Sequence, residues 1–326
     1  MDCESHVSTK RYKKAVILGA GGFLGINLAN ALAEQGFELV CFDQIESPHW
    51  PQTATAITGD FAALPFALLQ QLDNAFVFHL ISSCRPSPST ADAADEVARD
   101  LVTTVRCLEL SAKRDLRWIF VSSGGTIYGQ NGDEQIAESA PAAPICSYGA
   151  TKLAIEQYFA LYRRLHRIDH VVVRLANPYG PWQDPLRGQG IISAILYKAM
   201  QGQVLEVWGD GDNVRDYIYV TDAIQGILAA AFSGMGGEIY NIGTGRGLSI
   251  NQLVEIIGTE LNSPLAVIYT AARTVDVRRN VLCSKKLSSH TDWCPTIAID
   301  EGVELTTSWL RQIADCSFVD CTKKAK

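Results

Sequence analysis

What the chain lacks narrows its function first. Its 326 residues contain no run of about 18 consecutive apolar residues, so no membrane-spanning helix is expected. The opening Met1-Asp-Cys-Glu-Ser-His6 has no basic stretch followed by an apolar one, which argues against a secretory leader and for a cytoplasmic protein. Long basic tracts are missing and the formal net charge is −7, so neither nucleic acid nor an anionic membrane is expected as the main partner. The 9 cysteines are odd in number, scattered and without a CxxC pair, a pattern of reduced thiols in which no structural metal is expected. Internal repeats and low-complexity segments are also lacking. What remains is 47% hydrophobic and 19% charged, enough to bury one large core and a smaller second lobe.

The first positive signal is local. Ala15-Val-Ile-Leu18 is a buried-strand run that enters Gly19-Ala-Gly-Gly22-Phe23-Leu24-Gly25 and passes into the apolar-periodic stretch Ile26 to Ala33. Strand, glycine turn and helix come in the order of a dinucleotide-binding unit. Gly19 would make the tight turn, Gly22 would admit a pyrophosphate at the helix N-terminus, and Gly25 would let helix and strand pack closely. The following strand, Glu38 to Phe42, ends at Asp43, 43 − 25 = 18 residues past the last glycine, where an acid can take ribose hydroxyls. With no arginine or lysine beside it to receive a 2′-phosphate, NAD is expected over NADP.

A second signal is Ser147-Tyr148-Gly-Ala-Thr-Lys152. Four residues apart on a helix, the phenol and the ammonium share a face. The cation favours the phenolate, whose ordinary pKa of about 10 is otherwise too high for a general base near neutrality.

Strand-like and helical stretches alternate through the first half: strands 14–18, 38–42, 55–58, 75–80, 117–122 and 170–175, with helices near 23–35, 93–113 and 147–166. That alternation predicts an α/β fold, a doubly wound parallel sheet of Rossmann type. After Asn177-Pro-Tyr-Gly-Pro181 the rhythm changes to a helix near 189–201, strands 204–208 and 216–220, and helices near 221–232, 249–261 and 299–312. The expected division is a loose tail 1–10, an NAD-binding domain 11–180 with a return segment near 216–247, a smaller α/β substrate lobe 181–316, and a tail 317–326. Pro86-Ser-Pro88 reads as a loop beside the cofactor.

Together with Val121-Ser-Ser-Gly-Gly-Thr-Ile-Tyr-Gly129, Arg174-Leu-Ala-Asn-Pro-Tyr-Gly180 and Val214-Arg-Asp-Tyr-Ile-Tyr-Val220, these motifs resemble the extended short-chain dehydrogenases/reductases, and within them the UDP-glucose 4-epimerase group. Tyr240 to Gly245 and Arg273-Thr-Val-Asp276 resemble that group's substrate-lobe signatures. The resemblance implies bound NAD, a UDP-sugar substrate and a homodimer, and epimerisation at C4 of a UDP-hexose (glucose, galactose, or their N-acetyl or uronate forms) through a transient 4-keto sugar. It makes Tyr148 the base and has Lys152 also hold the nicotinamide ribose. Asp60 would lie near the adenine, and Phe23, Leu24, Phe61 and Leu80 would line the cofactor. Arg215 and Arg273 would clamp the diphosphate, Asn177 would contact diphosphate or sugar, Asp276 the uridine ribose, and small Asn280 would leave room for a 2-acetamido group.

Departures accompany the likeness. The serine or threonine that commonly stands four residues before the motif tyrosine, here Tyr128, is replaced by Gly124. Thr126 is the favoured substitute and Ser123 the fallback, although both could serve only backbone groups at a strand end. The group usually carries asparagine where this chain has Asp100, and its best-known epimerases carry lysine at Cys84. His79 reads as a packed strand-end residue. The dimer faces expected from the resemblance are Leu101, Val105 and Leu108 on one helix and Ile155, Phe159 and Tyr162 on another. Competing readings are a related 4-keto reductase, dehydratase or decarboxylase, or a non-catalytic NAD-binding protein. Against dehydration, Gly125-Thr126 stands where dehydratases place an Asp-Glu pair.

Overall fold

The computed structural model describes residues 12–63, 68–70, 72–83, 93–132, 134–186, 190–272 and 277–323, with side chains described as far as residue 313. Seven parallel strands form the main sheet: β1 (Lys14–Leu18), β2 (Glu38–Asp43), β3 (Thr55–Thr58), β4 (Ala75–His79), β5 (Leu116–Ser123), β6 (Asp169–Leu175) and β10 (Ile239–Ile242). Their spatial order is β10-β6-β5-β4-β1-β2-β3. The chain winds outward from β1 in one direction to β3 and in the other through β4, β5 and β6. A crevice therefore opens between the ends of β1 and β4, the place where doubly wound sheets bind ligands.

Except at the exposed edge strand β3, both faces of this sheet are covered, which is why the other strands read as apolar runs rather than as alternations. Side chains alternate along each strand. Ala15 and Ile17 enter one core with Phe76, Phe78, Val171 and Val173, while Val16 and Leu18 enter a second core with Ala75, Val77 and Val172. Leu28, Ala29 and Leu32 of α1 (Phe23–Glu34) seal the first core. Leu108, Ile155, Phe159 and Tyr162 seal the second, from α3 (Thr103–Ser111) and α5 (Ser147–His166).

The helix expected over 93–113 is not one regular α-helix. A short α2 (Ala93–Glu96) runs into a π-helical turn, Val97–Val102, before α3. Single π turns tend to mark functional positions. Nothing in the apolar spacing announces this one. β5 continues into a short α4 (Gly124–Ile127).

The second lobe is built on β9 (Val214–Tyr219), which pairs with β7 (Asn177–Tyr179), β11 (Gly247–Ser249) and β13 (Arg279–Asn280). A separate parallel pair joins β8 (Leu205–Trp208) to β12 (Val267–Thr270). Around them lie α6 (Ile191–Met200), α7 (Val220–Ser233), α8 (Ile250–Glu260), α9 (Lys285–Thr291) and α10 (Ile299–Lys323). The sequence does not announce β10, which falls in the return segment near 216–247, or the short strands β7, β11, β12 and β13. α10 continues well past residue 312 and through most of the stretch read as a tail. No helix among the described residues is long and apolar enough to cross a membrane, and no described group of three His, Cys, Asp or Glu side chains could hold a metal ion.

Candidate active site

The glycine turn sits at the mouth of the crevice. Gly19, at φ +93°, and Ala20 both donate their N–H to the Phe42 carbonyl, so the chain turns sharply across β2. A Cβ on Gly25 would lie 2.2 Å from the Gly19 carbonyl oxygen and 2.6 Å from the Ala20 Cα, so only glycine lets α1 dock on the turn. Gly22 differs: a Cβ there would meet only the Gly19 carbonyl, at 3.5 Å, and packing leaves it space. The N-terminus of α1 has no side-chain cap and no acid in its first turn, so its first N–H groups and positive dipole end are available to an anion.

Asp43 closes the other side of the turn, accepting hydrogen bonds from the Gly21 N–H (2.8 Å) and the Gln44 N–H (2.7 Å). Trp50, which the sequence did not single out, donates its buried indole N–H to the Ala20 carbonyl at 2.8 Å and fixes the turn from below. Asp60 caps its own turn through the Ala62 N–H at 3.0 Å. Phe61 is buried, with its ring 5.3 Å from His79, and Leu80 follows β4 with its N–H on the Leu18 carbonyl. These residues suit a dinucleotide: an uncapped helix start, open space at Gly22 and a carboxylate at the end of β2.

Lys152 lies beneath the crevice, 3% exposed, and donates to the carbonyls of Ile81 (3.2 Å) and Val121 (3.3 Å), just after β4 and within β5. Its ammonium is 4.9 Å from the Phe120 ring centroid and 5.8 Å from that of Tyr148. Burial lowers its pKa from 10.5 to about 8, against the opposing pull of Asp100, Glu96 and Glu156.

Tyr148 is half-buried on the first turn of α5, close enough to Ser123 at the end of β5 for that side chain to act on its phenol. Burial pushes its phenol well above the usual value; the Ser123 contact pulls it down, and Asp100, Cys146 and Glu96 push it up. The expectation of a phenol already softened by its neighbour therefore gives way to burial as the largest influence.

The hydroxyl question takes a definite geometry. Ser123 pulls the Tyr148 phenol down, whereas the Thr126 hydroxyl is buried with no hydrogen-bond partner. A Cβ on Gly124 would lie 2.4 Å from Leu282 Cδ1 and 3.2 Å from the Leu175 carbonyl, so Leu282 fills the space a serine there would need.

On the second-lobe side, Asn177 donates to the Asp216 carbonyl at 2.9 Å and its Oδ1 lies 3.8 Å from where a Gly125 Cβ would be. Arg215, on β9, donates to the Val214 carbonyl. Its neighbour Asp216 is fully buried and accepts from the N–H groups of Thr244, Gly245 and Leu282 and from the Thr244 hydroxyl, so it braces the lobe. Asn280, in register with Arg215, is fully buried with its amide on the Gly124 carbonyl at 3.0 Å. Arg273 and Asp276 lie outside the described residues, as do Cys84 and the Pro86 to Pro88 loop.

His79 is a packed residue, as its strand-end position implies. Thr104 gives its hydroxyl proton to the Asp100 carbonyl (2.6 Å), so His79 Nε2, 2.8 Å from the same oxygen, must be the donor. Burial, helped by Lys152, takes His79 down to about 3 and keeps it neutral.

Comparison with known proteins places these features in a lineage. Residues 15–243 match the NAD dependent epimerase/dehydratase family. The chain belongs to that family. Among curated relatives, UDP-glucose 4-epimerase from Mycolicibacterium smegmatis is 28% identical over 308 residues, covering 91% of this chain and 98% of the relative. Among solved structures, UDP-glucose 4-epimerase of Thermotoga maritima with UDP-glucose superposes with a TM-score of 0.87 at 28% identity, over 92% of this chain and 99% of that one. The Thermus thermophilus UDP-glucose 4-epimerase complex with NAD gives 0.84 at 26%, over 91% and 99%. As a family member this chain is NAD-dependent, and its sheet is the Rossmann-type sheet expected from sequence.

Proposed function

We propose that this chain is a nucleotide-sugar 4-epimerase acting on a UDP-hexose with retained NAD. The observation that carries the reading is the buried Lys152 ammonium, fixed on the Ile81 and Val121 carbonyls at the crevice and 5.8 Å from the ring of Tyr148, one turn earlier on α5. When bound, NAD supplies a hydride acceptor that later returns the same hydride, and its positive ring draws the nearby phenol toward ionisation.

The chain's own groups do the rest. Tyr148 takes the proton from the sugar 4′-hydroxyl, with Ser123 as the relay between the two oxygens, because removing hydride from an alcohol carbon requires loss of the hydroxyl proton. Thr126, without a partner and two residues further on, is placed second. Lys152 holds the ribose and keeps positive charge beside the phenol. Gly19, Gly22, Phe23, Leu24 and Gly25 cradle the pyrophosphate, Asp43 takes the adenosine ribose, and Asp60, Phe61 and Leu80 line the adenine and nicotinamide ends. Arg215, Arg273 and Asn177 hold the substrate diphosphate, a task suited to guanidinium forks, and Asp276 holds the uridine ribose. Asn280 spends its amide on Gly124, so we assign it to support the strand-end turn. Its small side chain leaves the expectation that a 2-acetamido group fits as it stood.

The homodimer expectation also changes its residues. Leu108, Ile155, Phe159 and Tyr162 are buried in the chain's own core, with Leu101 and Val105 packed against it. The apolar side chains that α5 and the π turn leave exposed are Tyr158, Leu161, Leu165, Val97 and Val102, and we assign the pairing face to these.

The test is turnover of a UDP-sugar panel by the purified protein, with C4 epimers resolved by NMR and Tyr148→Phe as control. Redox-neutral interconversion of one epimer pair, lost in the variant, is expected. Net consumption of reduced cofactor, or release of water from the sugar, would replace this reading with a reductase or a dehydratase.

A further inference from the structure

Two buried carboxylates stand behind the Tyr148–Lys152 pair, and the π turn and the residue just before it carry them there. Asp100, 2% exposed, accepts the Ser83 N–H with both oxygens (3.1 and 2.9 Å) and the Ser82 hydroxyl at 3.4 Å. Those serines directly follow Ile81, whose carbonyl is gripped by Lys152, so cation and carboxylate hold the same short segment after β4. Glu96, 3% exposed, takes the hydroxyl of Ser147, the residue before Tyr148, at 2.8 Å on Oε2, while its Oε1 has no partner. The Asp100 backbone is itself pinned through Thr104 and His79. Buried charge of this kind is costly unless something compensates it. The compensation at hand is the Lys152 ammonium.

We propose that Asp100, backed by Glu96, is the positioning residue that balances the Tyr148–Lys152 pair electrostatically, Asp100 through the segment after β4 that it grips together with Lys152 and Glu96 through its hold on Ser147 beside Tyr148. Among the described residues, few groups face the pair. Ser123, Cys146, Asp100 and Glu96 act on Tyr148, and Asp100, Glu96 and Glu156 act on Lys152. Glu156 is engaged by Arg174 through both oxygens, and His79 is neutral, so Asp100 in the π turn and Glu96 just before it are the adjustable charges.

Removing one negative charge from Asp100 lowers the pKa of the phenol, which it repels as an anion, and that of the ammonium, which it attracts. Both limbs of a bell-shaped pH profile then move toward acid together. Asp100→Asn keeps the shape, and its expected effect is a shift of about one pH unit in each limb of kcat. A merely structural role would lower kcat without moving the bell. This arm rests on the epimerase reading.

A second arm does not. Tyrosinate ultraviolet absorbance of the NAD-loaded protein is titrated in the native and Asp100→Asn forms, each corrected with its own Tyr148→Phe partner. The expected result is a midpoint at lower pH in Asp100→Asn, whether or not any sugar turns over. Coincident titrations, including no ionisation in either form, or a shift toward alkali, overturn the proposal. Glu96→Gln is measured in parallel with the same expected sign, and decides the matter if Asp100→Asn does not fold.

Discussion

Gly124→Ser installs a hydroxyl where related epimerases commonly carry one, and the structure says it will not fit. The new Cβ would stand 2.4 and 3.1 Å from the two methyl carbons of Leu282, itself fully buried, and 3.2 Å from the Leu175 carbonyl. Backbone on one side cannot yield, so Leu282 must move within a packed core, at a cost of about 1–3 kcal/mol. Leu282→Ala alone leaves a cavity and costs about 2–5 kcal/mol. Combined, the serine occupies part of that cavity, and the double variant should be more stable than the sum of the two losses predicts by about 1–2 kcal/mol. The assay is urea denaturation of all four proteins, comparing midpoints at unchanged slope. Strict additivity, or a Gly124→Ser protein within about 0.5 kcal/mol of the native one, would refute the steric argument. If Ser123 relays the proton because the neighbouring position is blocked, then Ser123→Ala loses turnover and regains part of it when Gly124→Ser and Leu282→Ala are added together.

The remaining predictions concern buried charge. Lys152 falls from 10.5 to about 8 in the fold, so between those values the unfolded chain holds a proton that the native one has shed. The Lys152 contribution to cofactor-free stability should therefore rise with pH across that window, by up to about 3 kcal/mol, against the buried Cys41 and Cys107 thiols, pushed up to about 12, whose contribution falls above pH 9; the rise is read as the difference between native and Lys152→Met denaturation curves, and the variant should also abolish turnover. The Arg174–Glu156 pair is bidentate, with contacts of 2.7 to 3.2 Å between side chains 5% and 1% exposed. Glu156→Gln should destabilise by about 3–5 kcal/mol by stranding the guanidinium, whereas pairing it with Arg174→Met should recover most of that loss in the same assay. A double variant no more stable than the single would count against burial as the cause.

How much of this was legible in the sequence depends on whether the signal was local. Six of the seven strands were readable, five of them as buried apolar runs between turn residues and the exposed edge strand β3 as a short stretch of β-formers, whereas β10 left no strand signal; α5 was bounded by its own periodicity at Ser147 and His166. The glycine turn was readable because backbone conformation restricts residue type. What could not be read were contacts made across the fold. Ser123 and Thr126 are equivalent on paper, and only the seat of Tyr148 distinguishes them. Leu282 answers to Gly124 across 158 residues, 282 − 124, without any pattern linking the two. The motif residues Tyr128, Arg174 and Asn241 carried the resemblance without an assigned task. They form instead a buried weld, with the Arg174 guanidinium 4.9 Å over the Tyr128 ring and the phenol donating to Asn241 at 2.7 Å. The π turn was hidden because a single widened turn hardly disturbs apolar spacing.

The strand order has a consequence for how the molecule is made. The outer neighbour of β6 is β10, and more than sixty residues of second lobe separate them in the chain (239 − 175 = 64). While a ribosome is still threading that stretch, Val171, Val172 and Val173 present an unpaired, two-sided apolar rim. The nucleotide-binding half must wait, open-edged, until Ile239 to Ile242 emerge, so growing chains caught in that interval are the ones most in need of a chaperone and most prone to clump.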